Sequence, residues 1–163
     1  MLKQCCDLLE QKKLKIAFVE SASSGYLCSQ FSIYKNSGAK ILLGSMVSYD
    51  PSIKVEILKI DPALIAQYTA ESPEVTAALA TQGQMLFQHA DYVIACTGLL
   101  KPGGSACENK PVGTFFVCIQ HQQMQYHFHY LLAGTPTEKL DQLTECVASE
   151  LIELISHEST DTY

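Results

Sequence analysis

Apolar residues along this chain follow two rhythms in turn. Leu2, Cys5, Cys6, Leu8 and Leu9 recur every three or four residues, which predicts a short amphipathic helix ending at Gln11-Lys12-Lys13, where cations suit the negative end of a helix dipole. Residues 14–19 form a continuous apolar run with β-branched members, the pattern of a buried strand. Residues 20–25 (ESASSG) break that run with small hydroxyl side chains. Tyr26, Leu27, Phe31, Ile33 and Tyr34 then predict a helix entered from this turn and closed at Asn36-Ser37-Gly38. A second strand is expected over residues 41–49. Asp50-Pro51, Asp61-Pro62 and Ser72-Pro73 each set a capping side chain before a proline suited to the first helical turn, so three helices in series are expected over residues 52–58, 63–68 and 75–89.

The second half returns to strands. A third is predicted over residues 91–97, followed by a glycine- and proline-rich loop over 98–111. Strands over 112–120 and 124–132 are joined as a hairpin at His121-Gln122-Gln123. Leu140, Leu143, Val147, Leu151 and Leu154 give a final helix, over 137–155, its apolar stripe. Strands separated by helices, plus one hairpin, predict the α/β class: a three-layer α/β/α sandwich on a mixed, mainly parallel five-stranded sheet. A single domain over residues 1–157 is expected, with a frayed polar tail over 158–163.

Composition changes this picture mainly by exclusion. With 163 residues, 47% hydrophobic and 17% charged, the chain suits one core and rules out collagen-like, disordered and coiled-coil readings. Acidic residues outnumber basic ones 17 to 11, and every basic residue is lysine. That speaks against a nucleic-acid surface, which needs clustered cations and favours arginine for reading base edges. Any anionic ligand must be held by lysine, hydroxyls or backbone N–H groups. The seven cysteines are odd in number and contain no CxxC pair, so neither a zinc site nor a disulfide framework is expected. Cys96 and Cys118, inside apolar runs, read as small buried hydrophobes. His127 and His129 alternate onto one strand face and do not make a metal site. No stretch approaches the roughly 18 apolar residues of a membrane span, and the N-terminus has no signal-type apolar core. The expectation is a cytoplasmic protein that uses no metal and no cofactor and does not bind membranes.

Candidate chemistry lies where strands give way to helices, because ligands of such sheets bind outside the carboxyl ends of strands. Three loops qualify: Glu20-Ser21-Ala22-Ser23-Ser24-Gly25, then Ser48-Tyr49-Asp50, then Thr97-Gly98 with Lys101-Pro102-Gly103-Gly104. Each also has an ordinary use. Serines before a helix serve as N-caps, a lysine such as Lys54 on a second helical turn is normally solvated, and Tyr49 can be an aromatic at a strand edge. Backbone N–H groups near Ser23, Ser24 and Gly25 can serve an oxyanion or a phosphate, and the residues do not decide which.

Four blocks taken together are specific: Val19-Glu20-Ser21-Ala22-Ser23-Ser24-Gly25; Gly44-Ser45-Met46-Val47-Ser48-Tyr49 with Lys54; Thr97-Gly98 with Pro102-Gly103-Gly104; and Lys110-Pro111-Val112-Gly113. In this order and spacing, over roughly residues 3–155, the chain resembles the CinA C-terminal-domain family, whose members include nicotinamide-nucleotide amidases. The resemblance implies hydrolysis of the carboxamide of nicotinamide mononucleotide to nicotinic acid mononucleotide and ammonia, by a metal-independent serine–lysine mechanism. It implies Ser21 as nucleophile, Lys54 as general base and the Tyr49 hydroxyl as a proton relay. Glu20, Ser23, Ser24, Gly25, Thr97, Gly98, Gly103, Gly104 and Lys110 would bind substrate, and on their own account Gly103-Gly104 give a loop flexible enough to act as a lid. A small-molecule nucleotide is the implied partner, and a homo-oligomer the implied assembly. An ordinary lysine is protonated at neutral pH, so this role requires burial or a cationic neighbour to lower its pKa.

The chain also departs from the family pattern. Ala22, Ser23 and Ser24 stand where cysteine, threonine and glycine are usual, Pro51 stands for asparagine, Leu99-Leu100-Lys101-Pro102 replaces an Ile-Ala-Gly-Pro-like run, and Gly134-Thr135-Pro136 replaces a turn carrying arginine. If position 24 needs a positive φ, its Cβ costs on the order of 1 kcal/mol. These departures motivate the alternative reading, a catalytically silent relative that acts as a nucleotide-binding or interaction module.

Overall fold

In a computed structural model that describes residues 1–35 and 37–158, the alternating rhythms become layers. Helix α1 (Leu2–Lys12) buries Leu2, Cys5, Cys6 and Leu9, and left-handed Lys13 ends it by returning its N–H to Glu10 and Leu9 carbonyls. Strand β1 (Ile16–Glu20) is buried along its whole length. After the serine turn come α2 (Tyr26–Ile33) and β2 (Leu42–Val47). The two proline-led helices are α3 (Pro62–Tyr68) and α4 (Pro73–Leu86). The Asp61 carboxylate and the Ser72 hydroxyl accept the Ala63 and Val75 N–H groups, as their capping positions predict. Strands β3 (Tyr92–Gly98), β4 (Thr114–His121) and β5 (Met124–Leu131) complete the sheet, and α5 (Pro136–Glu158) closes the chain. No helix among the described residues is long and apolar enough to cross a membrane.

The strand order is β2-β1-β3-β4-β5, with β1 parallel to both its neighbours and β4 antiparallel to both of its own. The sheet is mixed as expected. Four strands share a direction, yet only two of the four pairings are parallel, because the hairpin sets β4 against its neighbours. Period-two alternation sorts the core. Ile16, Phe18, Tyr92, Ile94 and Cys96 face the larger cluster beneath α1, α2 and α5, while Ala17, Val19, Val93 and Ala95 face α4. Gly83 lets α4 lie close to that face, since a Cβ there would fall 2.6 Å from Val19 and 2.8 Å from Val93.

Two expectations change between Val47 and Leu58. The second strand ends at Val47 rather than Tyr49, which releases Ser48 and Tyr49 into a turn. The segment expected as an α-helix over 52–58 is a π-helical turn, Ile53–Ile57, in which the Leu58 N–H reaches back five residues to the Ile53 carbonyl at 3.1 Å. Widened turns of this kind change which side chain faces inward. Here the one that turns in is Lys54, 1% exposed between exposed Ser52 and Glu56. At the C-terminus His157 and Glu158 continue α5. The remainder of the expected tail, and Asn36 of the expected helix closure, lie outside the described residues.

Candidate active site

The parallel strands β1 and β2, with β3, end together. Glu20 pairs with Val47 on one side and Cys96 on the other, so the loops that follow share one edge. Ser21 is fixed there by its N–H to the Cys96 carbonyl at 3.1 Å and by its own carbonyl, which accepts the Ser24 N–H at 3.1 Å. The chain then turns through two left-handed residues, Ser24 (φ 50) and Gly25 (φ 89), before α2 begins. The positive φ that family glycine would suit is therefore present, and a serine bears it.

Glu20 does not bind substrate from this position. It is fully buried, and its carboxylate accepts the Leu27 and Cys28 N–H groups at 3.0 Å each and the Ser45 hydroxyl at 3.2 Å. An anion of the protein's own thus occupies the positive end of α2, which leaves that helix end closed to a ligand phosphate and makes serine capping unnecessary. Ser23 is likewise turned inward, its hydroxyl 3.0 Å from the Cys96 thiol. Burial pushes that thiol up to about 12, as suits a cysteine used as a core hydrophobe.

Lys54 meets Ser21 from the π-helical turn. Its Nζ donates to Ser21 Oγ at 2.9 Å, to the Ser48 carbonyl, and to the Tyr49 carbonyl at 3.3 Å. No carboxylate among the described residues forms an ion pair with it. Burial pushes its pKa below the ordinary lysine value, opposed by the negative charges of Glu71 and Asp50 and, less, by Cys96. The contact set suits either protonation state. An ammonium spends three donors on three acceptors; a neutral amine gives two hydrogens to the two carbonyls and turns its lone pair to the Ser21 hydroxyl. Ser48, whose N–H is held by the Glu20 carbonyl at 2.8 Å, supplies the anchor through its backbone, which no side-chain motif announces. Its own Oγ is buried with no partner among the described residues, a cost of about 1–3 kcal/mol.

A cleft of about 270 Å³ opens over this pair, with Ser21, Ala22, Tyr49 and Glu71 on one side and Gly98 to Gly104 on the other. The predicted residues divide around it. Ser21, Tyr49, Gly98, Gly103 and Gly104 line the cleft, and Lys54 reaches Ser21 from beneath. Ser24 and Gly25 shape the turn without lining it. Thr97 is buried, its hydroxyl 2.8 Å from that of Thr76, and Lys110 donates to Thr69 Oγ1 at 2.7 Å and to the Glu71 carbonyl at 2.8 Å. Gly98 is required by packing: a Cβ there would lie 2.2 Å from the Phe115 ring. The Tyr49 side chain is 64% exposed, and its hydroxyl bonds neither Ser21 nor Lys54. Tyr49 meets the lysine through its carbonyl, because β2 ends two residues earlier and the side chain swings out. Nothing local in the sequence marks Glu71. It sits one residue before the Ser72-Pro73 helix start, which hides it among ordinary capping residues.

Comparison with known proteins follows the same outline. A family model described as the CinA C-terminal domain matches residues 1–155. A CinA-like protein of Mycobacterium marinum is 38% identical over 105 residues, 64% of this chain and 24% of that protein. A CinA-like protein of Chlorobaculum tepidum is 37% identical over 113 residues, 69% of this chain and 26% of that protein. The chain thus spans about a quarter of the length of the curated relatives it matches. Among solved structures, a CinA superfamily protein of Klebsiella pneumoniae superposes with a TM-score of 0.86 over 96% of both chains at 20% identity. One from Escherichia coli does so with a TM-score of 0.82 at 23% identity, over 94% of this chain and 90% of that one. At such identities the likeness is one of fold; the family model, matched across nearly the whole sequence, shows that this chain belongs to the CinA C-terminal-domain family.

Proposed function

We propose that the chain hydrolyses the carboxamide of nicotinamide mononucleotide to nicotinic acid mononucleotide and ammonia, with Ser21 as nucleophile and Lys54 as general base. The observation that carries this reading is a lysine 1% exposed, held by two carbonyls, with its third contact 2.9 Å from a serine hydroxyl at the floor of a cleft. A fold-only relative has no need to bury an ammonium-forming group beside a hydroxyl, since that burial opposes stability.

In the proposed sequence, neutral Lys54 takes the Ser21 proton as Oγ attacks the amide carbon. The Lys54 ammonium then delivers the proton to the leaving nitrogen, and ammonia departs from the acyl-enzyme. Water, deprotonated by the same amine, attacks the ester and frees the carboxylate, with Ser21 recovering its proton. The Ala22 N–H, beside Ser21 in the cleft and engaged by no described acceptor, is the donor available to the oxyanion. Ammonia release from nicotinamide mononucleotide by the wild type and by Ser21→Ala tests the reading. Turnover is expected in the first and loss to background in the second; equal release overturns it.

A further inference from the structure

We propose that Glu71 is the side chain by which this cleft distinguishes a positively charged nicotinamide ring from its neutral, reduced form; the inference rests on the amidase reading and adds a specificity-determining residue to it. Glu71 shares the cleft wall with Ser21 and Tyr49, and it is half-buried rather than waving in solvent. One carboxylate oxygen, Oε2, accepts the Ser105 hydroxyl at 2.5 Å. The other, Oε1, lies beside Gly104, 3.5 Å from where a Cβ would sit, and no described donor takes it. The Glu71 carbonyl is fixed in turn by Lys110. A carboxylate so held keeps its orientation when the cleft fills. Its field reaches the reacting pair, since Glu71 is the leading charge acting on Lys54.

Tyr49 supplies a second element of the same sign. Its ring is 64% exposed and lines the cleft, and an aromatic face attracts a cation much as a carboxylate does. An N-glycosylated nicotinamide is a pyridinium, with its positive charge in the ring that bears the carboxamide. Free nicotinamide and a dihydropyridine carboxamide are neutral there. Hydrolysis leaves the ring charge in place and adds a carboxylate beside it, so Glu71 attracts the product less than the substrate.

The test uses Ser21→Ala protein, which cannot turn substrate over, and equilibrium calorimetry with oxidised and reduced nicotinamide mononucleotide. These ligands share carboxamide, ribose and phosphate and differ in ring charge. The oxidised form is expected to bind about tenfold tighter, and the double variant with Glu71→Gln to bring the two within about twofold, the size of one close charge pair in a partly wet cleft. Gln keeps the acceptor for Ser105, and Glu71→Asp is expected to retain the preference. Equal affinity for the two forms in Ser21→Ala alone overturns the inference while leaving the amidase reading intact, as does a preference that survives Glu71→Gln. Failure of either ligand to bind, with no ammonia released by the wild type, overturns the amidase reading and this assignment with it.

Discussion

The turn over residues 21–25 and the loop over 99–113 face each other across the cleft, and they are held by different means. In the first, backbone and buried side chains leave little freedom: Ser21 is bonded to Cys96, Ser24 to Ser21, Tyr26 to Ser23, and the Glu20 carboxylate pins the start of α2. The second is anchored at its stem, where Leu99 and Gly113 N–H groups meet the Thr114 and Leu99 carbonyls, but residues 101–104 and 106–109 are exposed. Side chains reach over to tie it: Lys110 to Thr69 and Glu71, Ser105 to Glu71, and Lys139 to the Leu100 carbonyl at 3.1 Å. Reactive atoms on a rigid turn keep their geometry, while a wall held by a few polar links can yield to a ligand.

Removing the amine that serves the rigid turn should cost most. Lys54→Met is expected to lower kcat by about a thousandfold, within the usual range for a lost general base, measured as ammonia release from nicotinamide mononucleotide. Loosening the other wall should act on binding. Lys110→Met removes two hydrogen bonds to the Thr69–Glu71 turn and is expected to raise KM about fivefold with kcat within about twofold, at a stability cost of about 1 kcal/mol. An equal fall in kcat would mean that the loop takes part in the chemical step. The smallest effect belongs to Ser24→Gly. Relieving a Cβ at φ 50 should raise the denaturation midpoint by the equivalent of about 1 kcal/mol or less, and activity should persist because Ser24 does not line the cleft.

The sequence made one side of this comparison much more legible than the other. Strand, serine turn and helix are local patterns, so the element order and the place of Ser21 after β1 follow from spacing, whereas the spacing carries β2 two residues too far, through Tyr49. The three-layer sheet follows from the alternation of strands and helices. Lys54 was visible only through the pattern of blocks, because its burial depends on a π-helical turn that looks like any Asp-Pro helix start. Nothing local in the sequence tells that the Glu20 carboxylate, beside Ser21, turns onto the start of α2. The roles of the Ser48 and Tyr49 carbonyls are backbone roles, which side-chain identity does not encode. Lys110 and Glu71 meet across 39 residues of chain, beyond the reach of any local rhythm.

Protonation links the site to stability as well as to rate. Lys54 has a folded-state pKa below its unfolded value, so between the two the unfolded chain binds the extra proton and stability rises with pH across that window. The rate should climb through the lower of the two values, since the amine must be neutral to receive the Ser21 proton. Glu71→Gln removes the leading charge that opposes the shift and should move that rise to lower pH. The most direct test of the account is therefore the pH profile of kcat/KM for ammonia release from nicotinamide mononucleotide. A single acidic limb with its midpoint below the range of a solvated lysine, lost in Lys54→Met, is the predicted result; a Lys54→Met variant that keeps both the limb and the rate would contradict it.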